Sequence, residues 1–220
     1  ELRTPLTVIM GFSDILSADC DTMEPPRIRE MADHISTAAH RLYHMVENYL
    51  IYAQIEIIVT DPEGRALIQS NRTSDPKVVI EDQAIQCAQF HNRESDLALD
   101  VKPVRELHIL EEYLKKTVSE IVDNAFKFSP PGTPVRVEAR PTGDDQYMIR
   151  VTDSGRGMSR EQIERVGAYM QFNRRFYEQQ GSGLGLIITR RLAELHNGSL
   201  GIVSIPNHET AVTLTLLQTV

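Results

Sequence analysis

EIVDNAFKFS, Glu120 to Ser129, closes a run that begins near Glu111 and places Leu114, Val118, Ile121, Ala125 and Phe128 at helical spacing. Glu120, Asn124 and Lys127 follow i, i+4, i+7 and share a second face, roughly a third of a turn away at about 3.6 residues per turn. An amide oxygen can ligate a hard cation, an ammonium can meet phosphate oxygens, and a carboxylate can hold a water. Beside a buried stripe, these three groups suit a metal–phosphate surface. Alone, they equally suit the solvated face of an ordinary amphipathic helix.

Downstream, Pro130-Pro131-Gly132 stops the helix. Val135 to Ala139 alternates as a strand, Gly143-Asp144-Asp145 turns the chain, and Tyr147 to Val151 returns as a hairpin. The hairpin feeds DSGRGM, Asp153 to Met158. A buried carboxylate at Asp153 can accept a hydrogen bond from an exocyclic amine. Gly155 and Gly157 let a flat ring approach the backbone, although Asp-Ser-Gly is also a common turn. Ile163 to Met170 reads as helix. GSGLGL, Gly181 to Leu186, then opens a helix that ends at Asn197-Gly198. Bare backbone N–H groups at Gly181, Gly183, Leu184 and Gly185, with the positive end of a helix behind them, can receive phosphates. No Lys-Ser/Thr follows, so this is not a Walker A loop. The polar QFNRRFYEQQ before it excludes a strand-led dinucleotide fingerprint. Two closing strands, Leu200 to Ile205 and Ala211 to Leu217, complete the chain.

Upstream, residues 1–18 read as a helix with Leu2, Leu6, Ile9, Phe12 and Leu16 on one side and Pro5 one turn in, where it tends to bend the helix. The pattern begins mid-helix at Glu1, and the natural helix is expected to start upstream. After the breaker-rich Asp19 to Arg27, the residues Ile28, Met31, Ile35, Ala38, Leu42, Met45, Tyr49 and Tyr52 alternate in steps of three and four, a coiled-coil-like seam. Ala32, Ala39, Val46 and Ala53 widen it. Two such helices cannot bury their stripes against each other alone, and the expected solution is a homodimer closing a four-helix bundle. His34, His40 and His44 on this helix read as surface or seam-flanking. Residues 57–75 form a connector, in which Asp61-Pro62-Glu63-Gly64 suits either a tight turn or a helix start with proline in the first position. A helix is expected from Lys77 to His91, a strand at Leu97 to Val101, and a short strand at Leu107 to Ile109.

The 220 residues allow one or two domains. With 41% hydrophobic and 25% charged residues the composition is that of a soluble globular protein. No apolar run approaches the ~18 residues of a membrane helix, and no secretory leader opens the chain. A net charge of −8 argues against nonspecific nucleic-acid binding or contact with an anionic membrane. Cys20 and Cys87 lack metal-type spacing and read as free thiols of a cytoplasmic protein, Cys87 within a helix core.

Taken in order, Glu120-x-x-x-Asn124-x-x-Lys127, Asp153-x-Gly155-x-Gly157 and Gly181-x-Gly183-x-Gly185 resemble the ATP-binding domain shared by histidine kinases, gyrase-type topoisomerases, ninety-kilodalton heat-shock chaperones and mismatch-repair ATPases. The resemblance covers about residues 76–220. It implies an α+β protein: a helical hairpin forming a dimeric four-helix bundle (1–56), a linker (57–75), and a Bergerat-type two-layer α/β sandwich with a mixed sheet (76–220). It implies ATP and Mg2+ as cofactors. Asn124 would ligate the metal, Glu120 would hold or polarise a metal-bound water, and Lys127 would contact phosphate. Asp153 would bind the adenine amine, with Gly155 and Gly157 lining the base. Gly181, Gly183, Leu184 and Gly185 would wrap the phosphates. Thr210 matches the family's threonine near the adenine-binding aspartate, although Glu209 stands where glycine is usual. Phe172 and Phe176 resemble the aromatics of a kinase lid, here a short one. Arg174 and Arg175 fit phosphate contact or simple solvation.

ELRTPL, Glu1 to Leu6, resembles the segment just after the phosphoacceptor histidine of histidine kinases. That histidine would be the residue preceding Glu1. Glu1 would be its acidic neighbour, and Thr4 the position that helps orient water during dephosphorylation of a partner. The function implied is a two-component sensor kinase core that passes phosphate from ATP to a histidine and then to the aspartate of a response-regulator receiver domain. The alternatives are another ATPase of the same fold or a non-catalytic dimeric nucleotide-binding scaffold.

Overall fold

The computed structural model describes residues 2–168 and 184–219. The chain divides into two compact units, the first built largely from its opening 53 residues.

The first unit holds α1 (Arg3–Asp19) and most of α2 (Pro25–Thr60). A single 3-10 turn over Cys20–Thr22 follows α1. Pro5 is buried within α1. The seam is visible as burial of Met31, Ala38 and Met45, whereas Tyr49 at its far end is 40% exposed. The rings of Phe12 and His34 stack with centroids 4.9 Å apart and join the two helices. His40 and His44 are exposed, as expected of flanking positions.

The expected connector is largely helical. α2 continues to Thr60, and α3 (Pro62–Ser70) starts at once. Of the two readings of Asp61-Pro62, the helix start is the one adopted. The Asp61 carboxylate accepts the Glu63 N–H at 3.1 Å, and proline takes the first helical position.

The second unit is a two-layer sandwich. Its five strands are β2 (Leu97–Val101), β4 (Val135–Pro141), β5 (Gln146–Asp153), β6 (Ser199–Ile205) and β7 (Glu209–Leu217), in the order β2-β4-β5-β7-β6. The β2–β4 pair is parallel and the other pairs are antiparallel, so the sheet is mixed. A separate two-stranded ribbon pairs β1 (Thr73–Ser74) with β3 (Glu106–Leu107). The helices α4 (Pro76–Phe90), α5 (Glu111–Phe128), α6 (Arg160–Ala168) and α7 (Leu184–Leu195) complete the unit. The core joins Ile80 and Ala84 of α4, Leu114, Val118 and Ile121 of α5, and Ala193 of α7 to the inward residues of the sheet. Strand alternation sets that inward face: Val135, Val137 and Ala139 are buried while Arg136 is exposed.

α5 is fixed at its last turn. The Arg93 guanidinium, 6% exposed, donates to the carbonyls of Phe126 (2.8 Å), Ser129 (2.9 Å), Pro130 (2.8 Å) and Thr133 (3.0 Å). A cation on the terminal carbonyls of a helix satisfies groups that have no partner within it. Asp96 completes the clasp by accepting from Arg93 Nε at 2.6 Å and from the Gly132 N–H at 2.9 Å, and these two bonds hold its carboxyl below the usual carboxylate range.

Among the described residues, no helix is long and apolar enough to cross a membrane.

Candidate nucleotide site

Strand register brings the first polar groups together. Asp153 ends β5 and lies opposite Val135 of β4 on one side and Thr210 of β7 on the other. Asp153 and Thr210 are each 7% exposed. The Asp153 carboxylate accepts the Gly155 N–H at 2.9 Å. Burial raises its pKa to about 6, against the opposing pull of that N–H, with Glu209 adding a smaller rise. The Thr210 hydroxyl meets Ser204 Oγ at 2.9 Å, and Ser204 Oγ also accepts the Met158 N–H at 2.8 Å. Strand β6 thus braces the loop after Asp153.

The glycines of that loop occupy places with no room for a side chain. A Cβ on Gly155 would meet the Phe128 carbonyl carbon at 2.8 Å. Gly157 has φ +64°, and a Cβ there would meet the Ile205 carbonyl carbon at 2.8 Å. The loop is therefore pressed against the end of α5. The Arg156 N–H donates to the Phe128 carbonyl at 3.2 Å, and the Arg156 guanidinium lies 4.2 Å from the centre of the Phe128 ring.

Asn124, Asp153, Arg156, Gly157 and Thr210 line one pocket with Ile121, Ala125, Phe128, Val151, Met158, Leu186 and Val212. Its walls are apolar and its polar groups few, which suits a flat heteroaromatic ring with one exocyclic donor. Glu120 and Lys127 stand beside the pocket and do not line it. Asn124 Nδ2 donates back to the Glu120 carbonyl at 2.6 Å, which leaves Asn124 Oδ1 as an acceptor. Glu120 Oε1 pairs with Lys116 Nζ at 2.8 Å. Lys127 is exposed, with Nζ 5.3 Å from the Phe128 ring centre. Gly185, in the first turn of α7, approaches Glu120 so closely that a Cβ would lie 2.9 Å from the carboxylate carbon. Leu184 opens the same helix and is buried.

The donor set fits a magnesium–nucleotide. Among the described residues no three His, Cys, Asp or Glu side chains cluster as for a protein-caged metal. Magnesium bound to a nucleotide needs few protein oxygens, since phosphates and waters supply the rest. Asn124 Oδ1 and Glu120 offer hard oxygens on one helix face, and the pocket beside Asp153 is the place a base would fill.

Phe172, Phe176, Gly181 and Gly183 lie outside the described residues, as do Arg174, Arg175 and Glu1. Thr4 is an exposed residue in the first turn of α1. Sequence reasoning did not single out Arg156 and Met158 of DSGRGM, nor Ser204 and Lys116. Lys116 had a local signal, standing one turn before Glu120; Ser204 is brought in only by strand register.

Two family models match the chain. One, described as histidine kinase-, DNA gyrase B-, and HSP90-like ATPase, matches residues 110–220. The other, the His Kinase A (phospho-acceptor) domain, matches residues 1–57. Histidine protein kinase DivJ of Caulobacter vibrioides is 34% identical over 98% of this chain and 35% of its own length. Sensor-like histidine kinase SenX3 of Mycolicibacterium smegmatis is 28% identical over 98% of this chain and 54% of its own. The chain thus spans about a third to a half of the length of these two relatives. Among solved structures, the Acinetobacter baumannii histidine kinase AdeS superposes with a TM-score of 0.68 at 15% identity, over 100% of this chain and 98% of that one, which is a likeness of fold.

Proposed function

Because this chain belongs to the family of histidine kinase-, DNA gyrase B- and HSP90-like ATPases and carries a His Kinase A domain ahead of the ATPase unit, we propose that it is the catalytic core of a sensor kinase that uses Mg-ATP to phosphorylate a histidine. The observation that carries this reading is the convergence of Asp153, Thr210, Gly157 and Asn124 on one pocket walled by apolar side chains.

In this reading Asp153 accepts the adenine amine, while Thr210 and Ser204 hold the neighbouring backbone. Gly155 and Gly157 let the loop after Asp153 pack against α5 and β6, which sets the wall of the pocket against which the base lies. Asn124 would offer Oδ1 to the metal, Glu120 would hold or polarise a water there, and Lys127 would contact phosphate. The glycines that precede α7, Gly181 and Gly183, together with Gly185, receive the phosphates, and Phe172 belongs to the lid. Bound Mg-ATP supplies the phosphoryl group to be transferred. The chain's contribution is to position and to neutralise charge.

The nucleophile is the histidine expected just before Glu1, with Glu1 as its acidic neighbour and Thr4 as the residue that serves dephosphorylation of a response-regulator aspartate. Residues 1–56 act as the dimerisation and phosphotransfer hairpin, 57–75 as the linker, and 76–220 as the ATP-binding domain. Exposed Leu2, Leu6, Met10, Tyr43 and Leu50 support a homodimeric bundle, since a lone hairpin leaves them to solvent. The reading places this segment in the cytoplasm.

The test is to supply labelled ATP to the longer protein that includes the residue before Glu1. Acid-labile label is expected. Acid-stable label, or none despite bound ATP, would contradict the kinase reading.

A further inference from the structure

Lys116 is one helical turn before Glu120 on α5, and the two side chains pair at 2.8 Å with only 12% and 16% exposure. The pair is enclosed, not a solvent-screened surface bridge. The Glu120 carboxylate is confined from a second direction too, because the backbone of Gly185 sits against it. Oε1 faces the ammonium and Oε2 faces the first turn of α7. A glutamate side chain has three rotatable bonds, and a carboxylate held by a single contact samples several positions. The ion pair on Oε1 and the steric limit of the Gly185 backbone beside Oε2 narrow that range.

We propose that Lys116 is a positioning residue for the metal site: by holding Oε1 it fixes the one orientation in which Glu120 presents its carboxylate to metal-bound water. This rests on the assignment of Glu120 to the metal made above. A partner that orients a metal-site group contributes through that group, and its loss typically costs about 10- to 100-fold in metal affinity or activity. An enclosed ion pair is also poorly explained by stability, since burying two charges gains little net energy, while a fixed geometry is its better-attested use.

The experiment reads binding by calorimetry. ADP is titrated into wild type, Lys116→Met, Lys116→Arg, Glu120→Gln and the Lys116→Met/Glu120→Gln double variant, each with Mg2+ and with EDTA. The quantity read is the gain in ADP affinity that Mg2+ confers. Lys116→Met is expected to lower that gain about 10-fold or more, with ADP affinity in EDTA unchanged. Lys116→Arg should keep the gain, and in the Glu120→Gln background Lys116→Met should subtract nothing further. If Lys116→Met fails to fold, Lys116→Gln is read in its place. A full gain in Lys116→Met, or an equal loss with and without Glu120, would overturn the proposal. A full gain in Glu120→Gln would instead remove Glu120 from the metal site, and the proposal with it.

Discussion

Asp153 of β5 and Thr210 of β7 face each other across an antiparallel pair, both buried, one a carboxylate and the other a hydroxyl tied to Ser204. A carboxylate enclosed in this way is unfavourable to the isolated fold and useful to a ligand that donates to it.

The sign of the Asp153 effect follows from its raised pKa, about 6 against an ordinary 3.8. The folded protein holds this proton more tightly than the unfolded chain. The favourable contribution is full below about pH 4 and is lost as pH rises through about 6. Asp153→Asn removes the buried charge and should stabilise the protein at pH 7 by roughly 1–3 kcal/mol, at about 1.4 kcal/mol per pKa unit. The difference should close toward pH 4. The same variant should lose nucleotide affinity. Thermal unfolding at pH 4 and 7, with and without ADP, checks both.

His196 has the opposite dependence. It is buried, its Nδ1 donates to the Leu192 carbonyl at 2.8 Å, and burial holds its pKa below the ordinary 6.5. The unfolded chain therefore binds the proton more readily, and stability should fall as pH drops below 6.5. Subtracting the unfolding free energies of His196→Gln from wild type between pH 5 and 8 isolates this slope; no difference in slope would contradict the assignment.

Arg93→Ala leaves four backbone carbonyls at the end of α5 without this donor. The Pro130 carbonyl keeps the Thr133 hydroxyl as a donor, whereas those of Phe126 and Ser129 are buried; buried acceptors without partners cost about 1 kcal/mol or more each, so a loss of roughly 2–3 kcal/mol is expected in urea unfolding. Because that turn carries Asn124 and Lys127, the variant should also weaken Mg-ATP binding under conditions where it is fully folded.

Two glycines should fail differently. Alanine at Gly155 meets backbone, the Phe128 carbonyl carbon at 2.8 Å, and should destabilise the fold. Alanine at Gly185 meets the end of a side chain, Glu120, and should displace that carboxylate with a smaller change in melting temperature but a clear loss of Mg2+-dependent ADP affinity. Gly201→Ala, whose nearest neighbour would be 3.9 Å away, is the control and should change neither.

Much of the fold was legible because its signals are local. The α5 stripe, the β4–β5 hairpin and the closing strands each declare themselves within a dozen residues, and the three motifs named the face of α5 and the loop after β5. What was not legible depends on distant register or on a side chain's reach. The parallel pairing of Leu97 with Val135 spans the whole of α5, and no local pattern specifies it. Arg93 carries no local signal, because its carbonyl partners lie 33 to 40 residues away. Asp61 fitted two structures until its hydrogen bond to Glu63 separated them.

The central claim is that α5 and the loop after β5 together bind Mg-ATP, with Asn124 on the metal. Calorimetric titration of a non-hydrolysable ATP analogue into wild type and Asn124→Ala, each with and without Mg2+, tests it most directly. Mg2+-dependent binding to wild type that Asn124→Ala loses is the predicted result. Absence of Mg2+-dependent binding to wild type, or equal binding to both proteins, would contradict it.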